Sequence, residues 1–281
     1  MSAHQGISRK KEEFTSLTAF TTLEPVAVGS LVGLLFIRGS QIHEGLDYAS
    51  LVILVIALLA LLTSLFHLGR PWRAPLAILH PSTSWLSREI ILFSFFLLML
   101  FSYMVLPIFV VSGFTIHLAG FMCAIFGLAS TFATGKTYQL RARPSWDHWS
   151  TILSFPLGAL STGILFGLFI EQLFTGDVQI GRSVRPILTI LLSLILFIFS
   201  LRLVTRSQRI PEVSTSRSLA VGAYLWLYLL RVITILITIS MLWVSDTTLF
   251  FAWVPALVGE FADRSIFFNT VIPITLVGRY I

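Results

Sequence analysis

Residues 89–111 read EIILFSFFLLMLFSYMVLPIFVV, a run in which Glu89 is the one charged residue. A helix needs roughly 20 mainly apolar residues to cross the hydrocarbon core of a bilayer. Runs of this kind recur along the whole chain and predict an all-α polytopic integral membrane protein, a bundle of about eight transmembrane helices. The predicted spans are about 17–37, 46–66, 89–111, 115–135, 151–174, 184–204, 218–244 and 247–278.

The composition agrees with a membrane protein rather than a soluble one. Of 281 residues, 56% are hydrophobic and 11% are charged, whereas soluble domains carry about 25% charged residues. The connections between spans are too short to hold a separate soluble domain. We therefore predict a single transmembrane domain over residues 1–281, with a polar N-terminal tail over 1–16 and no removable signal peptide.

Basic residues are distributed unevenly between the two predicted sides of the bundle. An even number of spans puts both termini on one side, and most of the 19 Lys and Arg residues fall there. Arg38, Arg182 and Arg185 fall on the other side. The positive-inside rule then places both termini in the cytoplasm. Because the basic residues are scattered through short loops, nucleic-acid binding is not predicted.

Metal chemistry by this chain alone is disfavoured. Cys123 is the single cysteine, which excludes an internal disulfide and a Cys-rich zinc or iron–sulfur site. All six histidines fall in predicted tails, loops or helix ends, and membrane haems usually need histidines that face each other inside a bundle. We predict no metal site and no haem.

A polar cluster separates the second and third predicted spans. It reads His67-Leu-Gly-Arg70-Pro-Trp72-Arg73-Ala74 and continues at Ser87-Arg88-Glu89. A neutral His67 imidazole could accept a hydrogen bond from a hydroxyl and take its proton near pH 7. The simpler alternative is that His67 caps the carbonyl end of its own helix.

Two interpretations also apply to Glu89. If the third span begins at this residue, the carboxylate lies in a first helical turn, where the helix dipole stabilises it. Alternatively, Glu89 is a proton acceptor at the membrane boundary whose proton affinity is raised by partial desolvation. Arg70, Arg73 and Arg88 would set its charge environment, although such residues also extend towards lipid headgroups.

Other charged residues interrupt the apolar spans. Glu24 lies near the start of the first span, Arg231 lies within the seventh, and Glu260, Asp263 and Arg264 lie in the eighth. Ionisable residues inside a span usually face a partner or a water-filled cavity. A structural ion pair between Glu260 and Arg264, which are spaced i, i+4, is favoured over a proton path.

The polar cluster resembles the membrane anchor subunit of dimethyl sulfoxide reductase, the DmsC family. The resemblance lies in His67-Leu-Gly-x-Pro-x-Arg-Ala74, followed by Leu86-Ser-x-Glu-Ile90. Arg143-Pro-Ser-Trp146 resembles the family's Pro-x-Trp loop, and Gly259-Glu-x-x-x-Arg264-x-x-Phe-Phe268 resembles its last helix. Glu24 and the basic N-terminal segment depart from the pattern.

The resemblance implies a membrane anchor and quinol-oxidising subunit of a molybdopterin reductase in a prokaryotic cytoplasmic membrane. The bound substrate would be menaquinol or ubiquinol, and this chain would hold no haem or iron–sulfur cluster. Its partners would be a ferredoxin-like iron–sulfur subunit and a molybdopterin catalytic subunit. Carried over, the quinol-site residues are His67 and Glu89 as the reacting groups, with Trp72, Arg73 and Trp146 beside them.

Two functions from other classes remain open at the level of sequence. A membrane transporter usually shows internal repeats and spans broken near the midplane, whereas here the polar residues concentrate at one boundary. A purely structural anchor would share every apolar span and bind no quinone.

Overall fold

The structure, a computed structural model, describes residues 3–39, 46–66, 76–109, 112–143, 145–176, 178, 183–209 and 214–270. Within those ranges the chain is helical and contains no β-strand. The helices are α1 (Ala3–Arg38), α2 (Tyr48–Phe66), α3 (Trp85–Val105), α4 (Gly113–Tyr138), α5 (Trp149–Gly158), α6 (Ile164–Thr175), α7 (Val184–Arg209), α8 (Ser214–Val244), α9 (Asp246–Phe251) and α10 (Trp253–Asn269).

Among the described residues, seven segments are long and apolar enough to cross a membrane. They are Phe14–Arg38, Tyr48–Phe66, Trp85–Phe109, Gly113–Tyr138, Trp149–Thr175, Val184–Arg202 and Tyr224–Val244. Each matches one of the first seven predicted spans, and the all-α polytopic architecture is confirmed. The eighth predicted span corresponds to the short helix α9 and to α10, and its residues 271–278 lie outside the described part of the chain.

Local capping groups define where several helices begin. The Ser84 side chain accepts a hydrogen bond from the Ser87 backbone N–H and caps α3, as expected for a serine N-cap. Ser112 caps α4 in the same way, and a capping box between Ser245 and Thr248 starts α9. Helix α6 ends at Gly176, whose positive φ of 70° is the left-handed conformation that glycine adopts without strain.

The helix α1 lies at the centre of the bundle and packs against α2, α4, α6 and α10. Its approach to the α5–α6 region is very close, because a Cβ atom added at Gly29 would lie 1.8 Å from the Ala159 carbonyl oxygen. Opposite it, Gly163 would place a Cβ 2.6 Å from the Gly29 Cα. Only glycine at these two positions permits the observed backbone contact.

Between α5 and α6, residues Ala159–Gly163 form a π-helical segment. Pro156 lies inside α5 and has no backbone N–H to donate, so it weakens the regular hydrogen-bond ladder just before this segment. Such π-bulges occur often at functional sites. Here the bulge faces α1 and α10, which carry three of the six buried acidic residues described below.

Candidate functional site

Part of the polar cluster between the second and third spans lies outside the described residues. His67, Arg70, Trp72 and Arg73 all fall within residues 67–75. The structure does describe Ser87, Arg88 and Glu89 on α3, together with the side chains of α1 and α4 that face Glu89. The described part of the site therefore extends from Glu89 of α3 towards α1 and α4.

The Glu89 side chain points into the bundle and is 5% exposed. Because α3 begins at Trp85, Glu89 lies in its second turn, and the first turn contains no acidic residue. The prediction that Glu89 is stabilised in a first helical turn is therefore wrong, since the Ser84 cap starts the helix four residues earlier than expected.

Instead, Glu89 faces the hydroxyl-bearing side chains of α4. The Thr134 and Thr137 hydroxyls lie near its carboxylate, and Glu24 of α1 is near enough to repel it electrostatically. Its Oε2 atom is buried and has no hydrogen-bond partner in the described part of the protein. An unsatisfied buried carboxylate oxygen is unusual and suggests a site for a ligand, a water or a proton.

The second carboxylate, Glu24, is completely buried and is also held by hydroxyl groups. Ser130 donates a hydrogen bond to its Oε1 atom at 2.8 Å, and Thr134 approaches Oε1 at 3.2 Å and Oε2 at 2.9 Å. Arg264 of α10 attracts Glu24 through its charge. Glu24 and Glu89, from α1 and α3, are named here the carboxyl pair, and Thr134 lies between them.

A separate network of ion pairs links α10 to its neighbours. Glu260 accepts hydrogen bonds from Arg264 at 2.5 Å and from Arg231 of α8 at 2.9 Å. The predicted Glu260–Arg264 ion pair is therefore confirmed, whereas the contribution of Arg231 was not predicted. Arg202 of α7 donates to both carboxylate oxygens of Asp263, at 2.8 and 2.9 Å.

Two features of α5 accommodate this network. A Cβ at Gly158 would lie 2.6 Å from the Glu260 Oε1 atom, so the glycine leaves room for the carboxylate. The Arg264 guanidinium donates to the Ser154 carbonyl at 3.0 Å and stacks over the Phe155 ring at 3.9 Å. Arg264 thus contacts Glu260, Ser154 and Phe155, and its Nε atom is buried without a hydrogen-bond partner in the described part of the protein.

Trp146 lies in a buried aromatic cluster at the same end of the bundle. Its ring stacks on Phe267 with 4.9 Å between centroids, and its N–H donates to the Phe267 carbonyl at 2.9 Å. Tyr138 packs edge-on against it, and the Arg143 guanidinium lies 4.3 Å above it. Trp146 is only 2% exposed, so it closes the interior behind the carboxyl pair. Its assignment to a quinol site stays a prediction.

The opposite end of the bundle holds a cluster that sequence reasoning missed. Arg38 donates to Asp47 at 2.5 and 3.0 Å and to Glu171 at 2.8 and 2.7 Å. Burial favours the neutral form of Asp47, but the hydrogen bonds and the charge of Arg38 outweigh it and hold the pKa of Asp47 below its ordinary value. A lone acid in the fifth span, Glu171, was the signal available in the sequence.

No group of three or more metal-ligating side chains is found among the described residues. The fold and the site define a multi-pass α-helical membrane protein whose interior carries arginine–carboxylate ion pairs and one carboxyl pair held by hydroxyls. The sequence model of the DMSO reductase anchor subunit (DmsC) matches residues 12–269, and the chain belongs to this family. Among curated proteins no match was found.

Membership gives the chain a general role. It is a membrane anchor subunit of a DMSO reductase-type complex, a role that implies association with a catalytic molybdopterin subunit. The match covers nearly all of the described helices, including α3, α4 and α10, from which the site is built.

Proposed function

We propose that this anchor subunit oxidises a quinol beside Glu89 and passes the electrons to an iron–sulfur partner subunit. The observation that carries the proposal is Glu89 itself, a buried carboxylate with one unpartnered oxygen near the start of α3. A carboxylate without an arginine partner keeps its capacity to accept a proton, which a quinol must lose when it is oxidised.

The quinol head would lie between the end of α2 and the start of α3. His67 accepts a hydrogen bond from one quinol hydroxyl, and Glu89 takes the proton. Arg73 balances the charge at the site and Trp72 lies beside the ring, while Trp146 supports the quinol site from within the buried aromatic cluster. The substrate class is menaquinol or ubiquinol, and the two electrons leave for a cluster in the partner subunit.

The basic side chains near this end of the bundle support a docked partner there. Arg88 and Lys136 lie near the ends of α3 and α4, and Arg143 lies in the loop after α4. We place the ferredoxin-like iron–sulfur subunit against this surface, between the anchor and the molybdopterin subunit. We infer from the distribution of basic residues that both termini face the cytoplasm, and from the family that the membrane is the cytoplasmic membrane of a prokaryote.

The first prediction tests quinol oxidation in the assembled complex. We expect His67→Ala and Glu89→Gln each to lower quinol-dependent turnover by about 10²-fold or more, because each removes a group that handles the hydroxyl proton. Turnover with an artificial dye that reduces the partner subunits directly should be unchanged.

The matched control for the histidine is His80→Ala, because His80 is exposed in the loop before α3. Quinol-dependent turnover at the parental rate in both His67→Ala and Glu89→Gln would contradict the proposal. If the unaltered complex also fails to bind a quinol analogue, the chain is a purely structural anchor.

A further inference from the structure

The six buried acidic side chains of the described residues fall into two groups. In the first group, each carboxylate lies within 3.0 Å of a guanidinium nitrogen, and its members are Asp47, Glu171, Glu260 and Asp263. The second group is the carboxyl pair, Glu24 and Glu89, for which the described contacts are to hydroxyl groups. An arginine partner holds a carboxylate in its charged form, whereas a hydroxyl lets it exist in either form.

The carboxyl pair is connected through one side chain. The Thr134 hydroxyl lies 2.9 Å from the Glu24 Oε2 atom and also faces the Glu89 carboxylate. A hydroxyl can accept a proton through a lone pair while it donates its own. Thr134 is completely buried, so this connection excludes bulk water from the path between the two acids.

The unpartnered Glu89 Oε2 atom provides a separate reason to assign a proton-handling role to the pair. Its residue is 95% buried, and no hydrogen bond in the described structure satisfies this oxygen. A proton on Glu89 would make it a donor to a neighbouring acceptor and would remove the cost of an unsatisfied charge.

In the described part of the chain, charged and titratable groups of α10 and α4 lie around the pair. Arg264 of α10 acts on Glu24 through its charge, but its hydrogen bonds go to Glu260 and Ser154. Tyr138 of α4 lies near both acids and packs within the aromatic cluster. Because the Arg264 hydrogen bonds go elsewhere, no guanidinium of the described residues is bonded to Glu24, and its carboxyl group can take up a proton.

We propose that Glu24 is a proton-relay residue that receives from Glu89, through Thr134, the first of the two protons released by the quinol. This inference rests on the proposed quinol oxidation. Oxidation of a quinol breaks two O–H bonds, releases two protons and sends two electrons to the partner subunit. Glu89 accepts the first proton and passes a proton to Thr134, whose own hydroxyl proton moves to Glu24.

This transfer leaves Glu89 a carboxylate again, so that it can accept the second proton. After the quinone leaves, both protons return by way of Glu89 to the aqueous edge of the bundle. Glu24 does not contact the quinol in this scheme; it acts through Glu89 and serves as a temporary proton store.

The second prediction concerns two substitutions, Glu24→Gln and Thr134→Val, each in the assembled complex. With a soluble quinol analogue as donor, we expect each to lower kcat by about 10²-fold while KM stays within about twofold, because proton removal is slowed and quinol binding is not. Thr134→Ser keeps the hydroxyl and should restore kcat to near the parental value. Dye-driven turnover should be unchanged in all three.

A matched control is available on the same helix. Thr131 is also completely buried, but its hydroxyl donates to the Leu128 carbonyl of its own helix at 2.9 Å. Thr131→Val should therefore leave kcat near the parental value. If Thr134→Val and Thr131→Val lower kcat equally, or if Thr134→Ser fails to rescue, the relay is overturned in favour of a packing role.

The Glu89→Gln variant separates this inference from the proposed function. Loss of quinol turnover in Glu89→Gln with normal kcat in Glu24→Gln overturns the relay and leaves quinol oxidation standing. Normal turnover in Glu89→Gln overturns the relay, and normal turnover in both Glu89→Gln and His67→Ala overturns quinol oxidation as well. If Glu24→Gln prevents assembly, the comparison of Thr134→Val with Thr134→Ser and Thr131→Val decides the question.

Discussion

The two ends of the bundle treat buried acids in opposite ways. At one end Arg38 binds Asp47 and Glu171 with four hydrogen bonds of 3.0 Å or less. At the other end, in the carboxyl pair, Ser130 and Thr134 hydroxyls donate hydrogen bonds to Glu24, and Glu89 lies near threonine hydroxyls of α4. The first arrangement locks three helices together in one charge state, and the second permits a change of protonation. Burial alone therefore does not identify an acid that can change its protonation state. The group that the carboxylate contacts, a guanidinium or a hydroxyl, does.

The largest expected effect comes from removing the guanidinium that locks the first end. Arg38→Met leaves Asp47 and Glu171 buried without their cation, and breaking a buried pair in this way costs about 3–5 kcal/mol. We expect the thermal unfolding midpoint of Arg38→Met in detergent, measured by circular dichroism, to be much lower than that of the parent. An unfolding midpoint within a degree or two of the parent would show that this end is not locked by charge.

A smaller and pH-dependent effect is expected at Asp47, which lies just outside the second span. Asp47→Asn should destabilise the protein by about 1–3 kcal/mol at neutral pH, because hydrogen bonds to charged groups are weakened. The folded-state pKa of Asp47 is below its ordinary value, so its stabilising effect is fully present above the unfolded pKa of about 3.9. This stabilising effect is lost as the pH falls through the lower pKa that Asp47 has in the folded state.

The free-energy difference between the parent and Asp47→Asn should therefore be constant above about pH 5 and shrink below pH 4. Denaturant unfolding at a series of pH values measures it. A difference that does not change with pH would mean that Asp47 contributes packing rather than a paired charge.

The smallest effect is expected for an ion pair at the surface. Arg185 of α7 and Asp246 of α9 form a salt bridge in which the Asp246 side chain is 73% exposed. Because water and salt screen exposed pairs, Asp246→Asn should change the free energy of unfolding by less than about 1 kcal/mol. The same unfolding assay measures it, and an effect as large as that of Arg38→Met would remove the contrast between buried and exposed pairs.

The helices were predictable from the sequence, but several of their partners were not. Long apolar runs determine spans because backbone groups in lipid must be satisfied within the helix, and seven of the predicted spans correspond to helices long and apolar enough to cross a membrane. Glu260 and Arg264 were predictable as a pair because an i, i+4 spacing on one helix is a local property. The start of α3 was misjudged by four residues, since helix ends depend on single capping side chains such as Ser84.

Contacts between helices cannot be predicted from the spacing of residues along the sequence. Glu24 meets Ser130 and Thr134, which are more than 100 residues away, and its partners depend on how α1 packs against α4. The contact of Arg38 with Glu171 depends likewise on the close approach of α1 to α6. Composition marks these residues as unusual within apolar spans, but only the packed bundle shows whether each faces a cation or a hydroxyl.

The shared use of Glu260 by Arg231 and Arg264 has a consequence for how the chain is synthesised into a bilayer. An arginine at the centre of an isolated helix costs about 2.5–3.5 kcal/mol on insertion, and α10 carries three charged residues of its own. Neither α8 nor α10 reaches a low free energy in lipid alone, because the positive charge of one is neutralised on the other. We therefore expect the two helices to enter the membrane as partners, because the Glu260 carboxylate of α10 neutralises the Arg231 charge of α8.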